Sequence, residues 1–233
     1  MNSNLSKILN DVNTFVVPET CFGCNTVLYR GEHLLCAFCR NELPLTEYTF
    51  SEANQADRLF YGHFGIQKAG ALFFYRENGI VQQLIHGLKY RGMEKIGEVL
   101  GRWYGGMLSR DEGLRNIDFV LPVPLHRKKK RKRGYNQCTR FGREVARSLE
   151  AEFSESLLLR KKASPTQTSK SRWGRWMGTK GAFHLAGAHL LVGKKILLVD
   201  DVITTGATLG ACCEALNRVG HRGIYIAAMA IVP

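Results

Sequence analysis

A short apolar run, Ile196–Val199, leads into two adjacent carboxylates, Asp200 and Asp201, and then into Val202-Ile203-Thr204-Thr205-Gly206-Ala207-Thr208. Continuous apolar runs of this length read as strands buried on both faces. The residues after it, with Leu209, Cys212, Cys213, Leu216 and Val219 at helical spacing, read as a helix. Thr204 to Thr208 therefore sit where a helix begins. Backbone N–H groups and hydroxyls there favour an anion, and Gly206 allows close backbone approach. Asp200 and Asp201, one step upstream, are placed to accept hydrogen bonds from sugar hydroxyls. Phosphate donors beside diol acceptors describe a site for a ribose 5-phosphate. The Gly-Lys-Ser/Thr ending of a Walker A loop is missing. The 32 residues after Asp201 are too few for the receiver fold that an apolar run ending in two acids also suggests.

A second group has metal-ligand chemistry. Cys21-Phe-Gly-Cys24 and Cys36-Ala-Phe-Cys39 are two C-x-x-C knuckles separated by eleven residues. Four thiolates at this spacing predict a tetrahedral, structural Zn²⁺ site with no open position for catalysis. Gly23 is expected to supply the freedom a tight knuckle turn needs. Cys138, Cys212 and Cys213 fall in helical patterns and read as buried packing residues.

The third group is cationic. Lys and Arg number 33 against 20 acids, a net of +13, and residues 127–180 hold 17 basic and 4 acidic residues, the whole of that excess. Its densest part is Arg127, Lys128, Lys129, Lys130, Arg131, Lys132 and Arg133, read as a loop. Three readings stay open: a lid over pyrophosphate, a nucleic-acid contact helped by Tyr135, Trp173 and Trp176, and a solvated charge run. Lys89 and Tyr90 end a helix, where a lysine interacts favourably with the dipole; this reads as a structural role. His63, His86, His126 and His184 have no metal-ligand spacing, and only His126 lies beside the basic run.

These groups need a scaffold to hold them. A chain of 233 residues with 45% hydrophobic and 23% charged residues is ordinary for a globular protein. No apolar run is long enough for a membrane helix, and the first twenty residues resemble neither a secretory signal nor a transit peptide, so a cytoplasmic protein is expected. Leu5, Ile8, Leu9, Val12, Phe15 and Val16 predict a short amphipathic helix ended by Pro18. Residues 45–60 read as an irregular linker. Beyond it, strands at Ala69–Tyr75, Ile117–Pro122, Leu157–Leu159, Ile196–Val199 and Ile224–Ile231 alternate with helices. That alternation predicts an α/β fold, a mostly parallel sheet with helices on both faces. The expected division is an N-terminal helix and zinc ribbon over residues 1–50 and a ligand-binding domain over 60–233.

The stretch from Asp200 through Thr208 resembles the phosphoribosyl pyrophosphate (PRPP) motif of type I phosphoribosyltransferases. The four-Cys module, Leu88-Lys89-Tyr90, Leu121-Pro-Val-Pro124, Arg133-Gly-Tyr-Asn-Gln137 and the region from Gln167 through Arg172 and Arg175 to Gly181-Ala-Phe183 narrow the resemblance to the ComF/GntX family, the competence protein F-like proteins. The resemblance implies a type I phosphoribosyltransferase-like domain behind a small zinc ribbon. It also implies that Asp200 and Asp201 hold the ribose 2- and 3-hydroxyls, with the two acids acting in catalysis. Thr204, Thr205, Gly206, Ala207 and Thr208 would hold the 5-phosphate, and Mg²⁺ would accompany PRPP. Two functions follow as expectations: a pentosyltransferase using PRPP and an unidentified acceptor, or a non-catalytic PRPP-sensing or single-stranded-DNA-binding accessory that works with DNA-uptake machinery.

Overall fold

The computed structural model describes residues 18–62, 64–160 and 181–233. The expected helix over Leu5–Val16, His63, and the segment carrying Gln167, Arg172, Trp173, Arg175 and Trp176 lie outside the described residues.

The chain opens with the cysteine knuckles, which contain the short helix α1 (Ala37–Asn41), and continues to a helical turn, α2 (Gln55–Arg58). It then forms β1 (Ile66–Phe74), α3 (Ile80–Tyr90), α4 (Glu94–Leu108), β2 (Phe119–Pro122), α5 (Arg127–Arg133), α6 (Cys138–Ser148) and β3 (Glu152–Phe153). After β4 (Leu158–Arg160) and β5 (Phe183–Leu185) come β6 (Lys195–Ile203), α7 (Ala207–Leu216) and β7 (Gly223–Ile231). Five strands make a parallel sheet in the order β1-β7-β6-β2-β3, and β4 pairs antiparallel with β5 outside it. The α/β expectation holds. Among the described residues no helix is long and apolar enough to cross a membrane.

Alternation along β6 divides the core. Leu197 and Val199 face one side of the sheet, with Leu84, Leu88, Ile96, Leu100, Phe141 and Val145 of α3, α4 and α6. Ile196 and Leu198 face the other, with Leu209, Cys212 and Leu216 of α7 and Phe183 of β5. A period of two in side-chain direction makes one strand serve two cores. Helices α4 and α6 approach closely because Gly101 carries no side chain: a Cβ there would lie 2.6 Å from the carbonyl oxygen of Phe141. That contact lies in the first turn of α6, whose start carries Gln137 and Cys138.

The segment over residues 45–60 differs from the irregular linker expected. Asn54 caps α2 through Ala56 N and Asp57 N, with Asp57 bonding back to Asn54 N in a capping box. Asn54 Nδ2 donates to the Ala69 carbonyl at 2.9 Å and Asp57 Oδ1 accepts from Ala69 N at 2.8 Å, which binds the segment to β1. Phe50, Ala56 and Phe60 are buried. Asn54 and Asp57 satisfy backbone groups of β1, while Glu47, Thr49, Ser51, Glu52, Gln55 and Arg58 face solvent.

Candidate functional site

The sheet order places a topological switch between β2 and β6. From β2 the chain goes first to β3 on one side and then to β6 on the other. Ligands of open α/β sheets bind outside the carboxyl ends of the strands at such a reversal. Asp200 and Asp201 stand near the carboxyl end of β6, Asp200 in register with Ala228 of β7. The loop after β2 leads into α5, where His126 Nδ1 accepts from Lys128 N at 3.2 Å.

Asp201 is 6% exposed and both of its carboxylate oxygens have partners. Lys89 Nζ lies 2.8 Å from Oδ1, and the Gln137 amide donates to Oδ2. Arg133 in turn donates to Gln137 Oε1. Asp200 Oδ1 accepts from Asp201 N at 2.8 Å and from Cys138 Sγ at 3.7 Å. Burial and the neighbouring Asp201 charge raise the Asp200 carboxyl to about 7. Burial, with Asp200 and Asp201 beside it, holds the Cys138 thiol well above its ordinary value. Burial pulls Lys89 down, but the Asp201 charge and hydrogen bond outweigh it and the net shift is upward. The site is thus an acid pair with one acid ion-paired and the other shared between charged and neutral forms near pH 7.

After the acids, Gly206 has φ 72° and forms the N-cap of α7, with no side chain capping the helix. A Cβ at Gly206 would lie 2.7 Å from Phe60 Cε1, so both the backbone angle and the packing require glycine. Thr204 is exposed and Thr205 half-buried at the mouth of this turn. Phe60, on the segment read as linker, is the wall behind the turn.

Three sequence readings change. The basic run over Arg127–Arg133 is a helix with Gly134 at φ 86° as its left-handed C-cap, not a loop. A run of long, straight side chains has good helix propensity, and Gly134 supplies the stop. Lys89 is an ion-pair partner of the site rather than a dipole partner alone. Cys138 is buried as expected but touches Asp200. Sequence reading also missed Gln137, although it lies in the Arg133–Gln137 stretch already singled out. Tyr135 does not present its hydroxyl to a ligand; it donates to the Leu88 carbonyl. Nearby, Tyr90 presents an exposed ring, with the Arg133 guanidinium 5.6 Å from its centroid.

The four cysteines do come together, their Sγ atoms within 4.8 Å of one another, with Cys24 Sγ 3.7 Å from Cys36 Sγ. A zinc tetrahedron with Zn–S of about 2.3 Å has S···S edges of about 3.8 Å. Cys21 Sγ accepts from Gly23 N and Cys36 N, each at 3.3 Å, and Cys36 Sγ accepts from Cys39 N at 3.4 Å. Hydrogen bonds from Thr26 lower Cys24 to about 6, and burial raises Cys39. All four thiols are unpaired, and the donor set fits a tetrahedral, thiophilic cation. Gly23 is needed for a different reason from the one expected. The positive φ of this turn belongs to Asn25, at 59°, whereas a Cβ on Gly23 would lie 2.6 Å from Cys39 Sγ.

Residues 136–231 match the family model described as phosphoribosyl transferase domain. Competence protein F of Haemophilus influenzae is 32% identical over 119 residues, 51% of this chain and 52% of the relative. The DNA utilization protein YhgH of Escherichia coli K12 is 30% identical over 148 residues, 61% of this chain and 63% of the relative. Competence protein ComFC of Streptococcus pneumoniae is 31% identical over 128 residues, 54% of each. The matched segment therefore spans between 52% and 63% of the length of these curated relatives. Among solved structures, a hypoxanthine phosphoribosyltransferase from Staphylococcus aureus overlaps 68% of this chain and 83% of its own at 12% identity and a TM-score of 0.39; so loose an overlap carries no argument. The chain is thus similar to a phosphoribosyl transferase domain over residues 136–231 and, over about half to two thirds of its length, to proteins named for competence and DNA utilization.

Proposed function

We propose that this protein binds PRPP at the end of β6 and, with Mg²⁺, transfers its ribosyl 5-phosphate to an acceptor. The observation that carries the reading is the convergence of an acid pair and the Thr204–Thr208 turn at the β2/β6 switch point. Asp200 and Asp201 accept the ribose hydroxyls. The turn and the start of α7, a helix of ten residues, hold the 5-phosphate. In the transfer, an acceptor nitrogen bonds to ribose C1 as the C1–O bond to pyrophosphate breaks. Pyrophosphate leaves with the bonding pair, and the acceptor gives up a proton. The carboxylates stabilise the positive charge that develops on the sugar. Mg²⁺ supplies charge neutralisation on the pyrophosphate. In the same reading the cysteine set holds a structural Zn²⁺, residues 1–50 form the metal module, residues 60–233 form the ribosyl-binding domain, and the protein works in the cytoplasm.

A second reading rests on α5. No ion pair joins Arg127–Lys132 to an acid among the described residues, and α5 buries none of its side chains. Seven cations exceed the need of one pyrophosphate, and the relatives are named for competence and DNA utilization. In this reading the protein is a PRPP-responsive accessory that binds single-stranded DNA.

Calorimetric titration of Mg²⁺–PRPP into wild type and the Asp200→Asn/Asp201→Asn double variant tests the first reading. Binding to wild type that vanishes in the variant supports it. Folded, metal-replete wild type that takes up no PRPP overturns it.

A further inference from the structure

We infer that α5 and the acid pair are one coupled device, in which single-stranded nucleic acid on α5 tightens ribosyl-ligand binding through the relay Arg133–Gln137–Asp201. The inference rests on the proposed PRPP site and adds its regulation.

The relay is continuous. Arg133, the last residue of α5, donates to Gln137 Oε1; the Gln137 Nε2 donates to Asp201 Oδ2; Lys89 takes the other oxygen at 2.8 Å. Gln137 is buried, so its amide has few alternatives to these partners. A ribose hydroxyl that is to donate to Asp201 Oδ2 competes with Gln137 for it. The structure is therefore a latched form of the site, with Gln137 as latch and Arg133 as its holder. Gln137 is a positioning residue in this scheme.

Arg133 also belongs to a surface that fits single-stranded nucleic acid. Its guanidinium lies over the ring of Tyr90, which is 70% exposed, and it continues the row of cations along α5. A cationic track with a solvent-facing aromatic ring is the combination that holds a phosphate backbone and stacks a base. Arg133 bonded to a phosphate no longer fixes Gln137 Oε1, and the amide is free to turn from Asp201. The reverse also holds: a ribosyl ligand that displaces Gln137 releases Arg133 toward the phosphate. Linkage requires the two effects to be equal. Simple electrostatic competition between two anionic ligands predicts the opposite sign.

The test is the affinity for Mg²⁺–PRPP with and without a saturating oligo-dT of about 12 nucleotides, at fixed salt. Wild type is expected to bind PRPP about fivefold or more tightly with the oligonucleotide present. Gln137→Ala is expected to lose that factor and to bind PRPP alone more tightly than wild type does, since the latch is gone. Arg133→Ala removes the holder without touching the core and is expected to lose the factor as well. Arg131→Ala is expected to weaken the oligonucleotide but keep the factor. Wild type that binds both ligands independently or antagonistically overturns the coupling, as does a factor that survives in Arg133→Ala. Wild type that binds oligo-dT but no PRPP overturns the proposed ribosyl site itself, a different failure.

Discussion

The cysteine knuckles and the acid-pair site are built in opposite ways. The knuckles collect four thiols from residues 21–39, and the backbone of that same stretch donates to their sulfurs. The acid-pair site collects Lys89 from the end of α3, Arg133 from α5, Gln137 and Cys138 from the start of α6, and the acids from β6. A local site can be specified by spacing alone. A dispersed site exists only after the sheet has formed, and its members are tuned by one another rather than by their own neighbours in sequence. The two regions meet in one core: Cys21 and Cys39 pack in the same apolar cluster as Leu84, Leu88 and Ile96 of α3 and α4. Lys89 follows Leu88, so the knuckles pack in the same core as the helix end that presents Lys89 to Asp201.

That shared core makes the largest prediction. If the knuckles were an independent module, Cys39→Ser or metal removal would melt them and leave the sheet's transition unmoved. The shared packing predicts one common transition. A loss of a few kcal/mol, reading as a drop of about 10 °C in the unfolding midpoint, is expected by calorimetry. Two separated transitions, with the larger one unshifted, would mean that the knuckles and the sheet fold as independent units.

Next in size is Asp201→Asn. It removes the charge facing Lys89 and leaves that ammonium, 22% exposed at its side chain, without its partner. A destabilisation of about 1–3 kcal/mol in urea unfolding is expected, together with loss of PRPP binding. Adding Lys89→Met should recover part of the stability and none of the binding. Additive single and double variants would show that the two side chains do not sense each other.

How much of this was legible follows from the same contrast. The knuckles, the buried β6 run and the acids-to-glycine turn were readable because each is contiguous. The strand and helix alternation was readable because Ile196–Val199 and the helical repeats of α3, α4 and α6 carry clean periodicity. Gln137 was not, because its role depends on Asp201 lying 64 residues away. Gly206 was visible but Phe60 fell in the presumed linker, and their contact is a property of the fold. The basic run misled for another reason: seven like charges signal a loop by repulsion, while their helix propensity and Gly134 decide the outcome.

Smaller in effect is the pH dependence of Asp200, which has its carboxyl raised from 3.8 to about 7. The folded state holds a proton there that the unfolded chain releases above its ordinary carboxylate value. The contribution of this group to stability is therefore fullest below about pH 4, falls as pH rises from about 4 to about 7, and is flat beyond. Asp200→Asn removes this dependence. The stability of wild type relative to the variant, followed by urea unfolding, should decline through that window. A difference that is constant across it would mean that the adjacent acids do not share the buried environment that sets their site apart from the knuckles.

The smallest effect isolates a connection between elements rather than a group that touches a ligand. The Tyr135 hydroxyl donates to the Leu88 carbonyl, one residue before Lys89, and so fastens the turn between α5 and α6 to the end of α3. Tyr135→Phe keeps the ring and deletes that bond. The variant loses one hydrogen bond to the Leu88 carbonyl, and the stability cost is expected at about 0.5–1.5 kcal/mol. The effect on the acid pair has a different character. The bond fastens the helix end that carries Lys89, and loosening it loosens the ion pair that orients Asp201. PRPP affinity should fall several-fold in Tyr135→Phe, while metal retention by the knuckles, measured by competition with a chelator, stays at the wild-type level. A dispersed site is sensitive to a bond that touches none of its ligands; a local one is not.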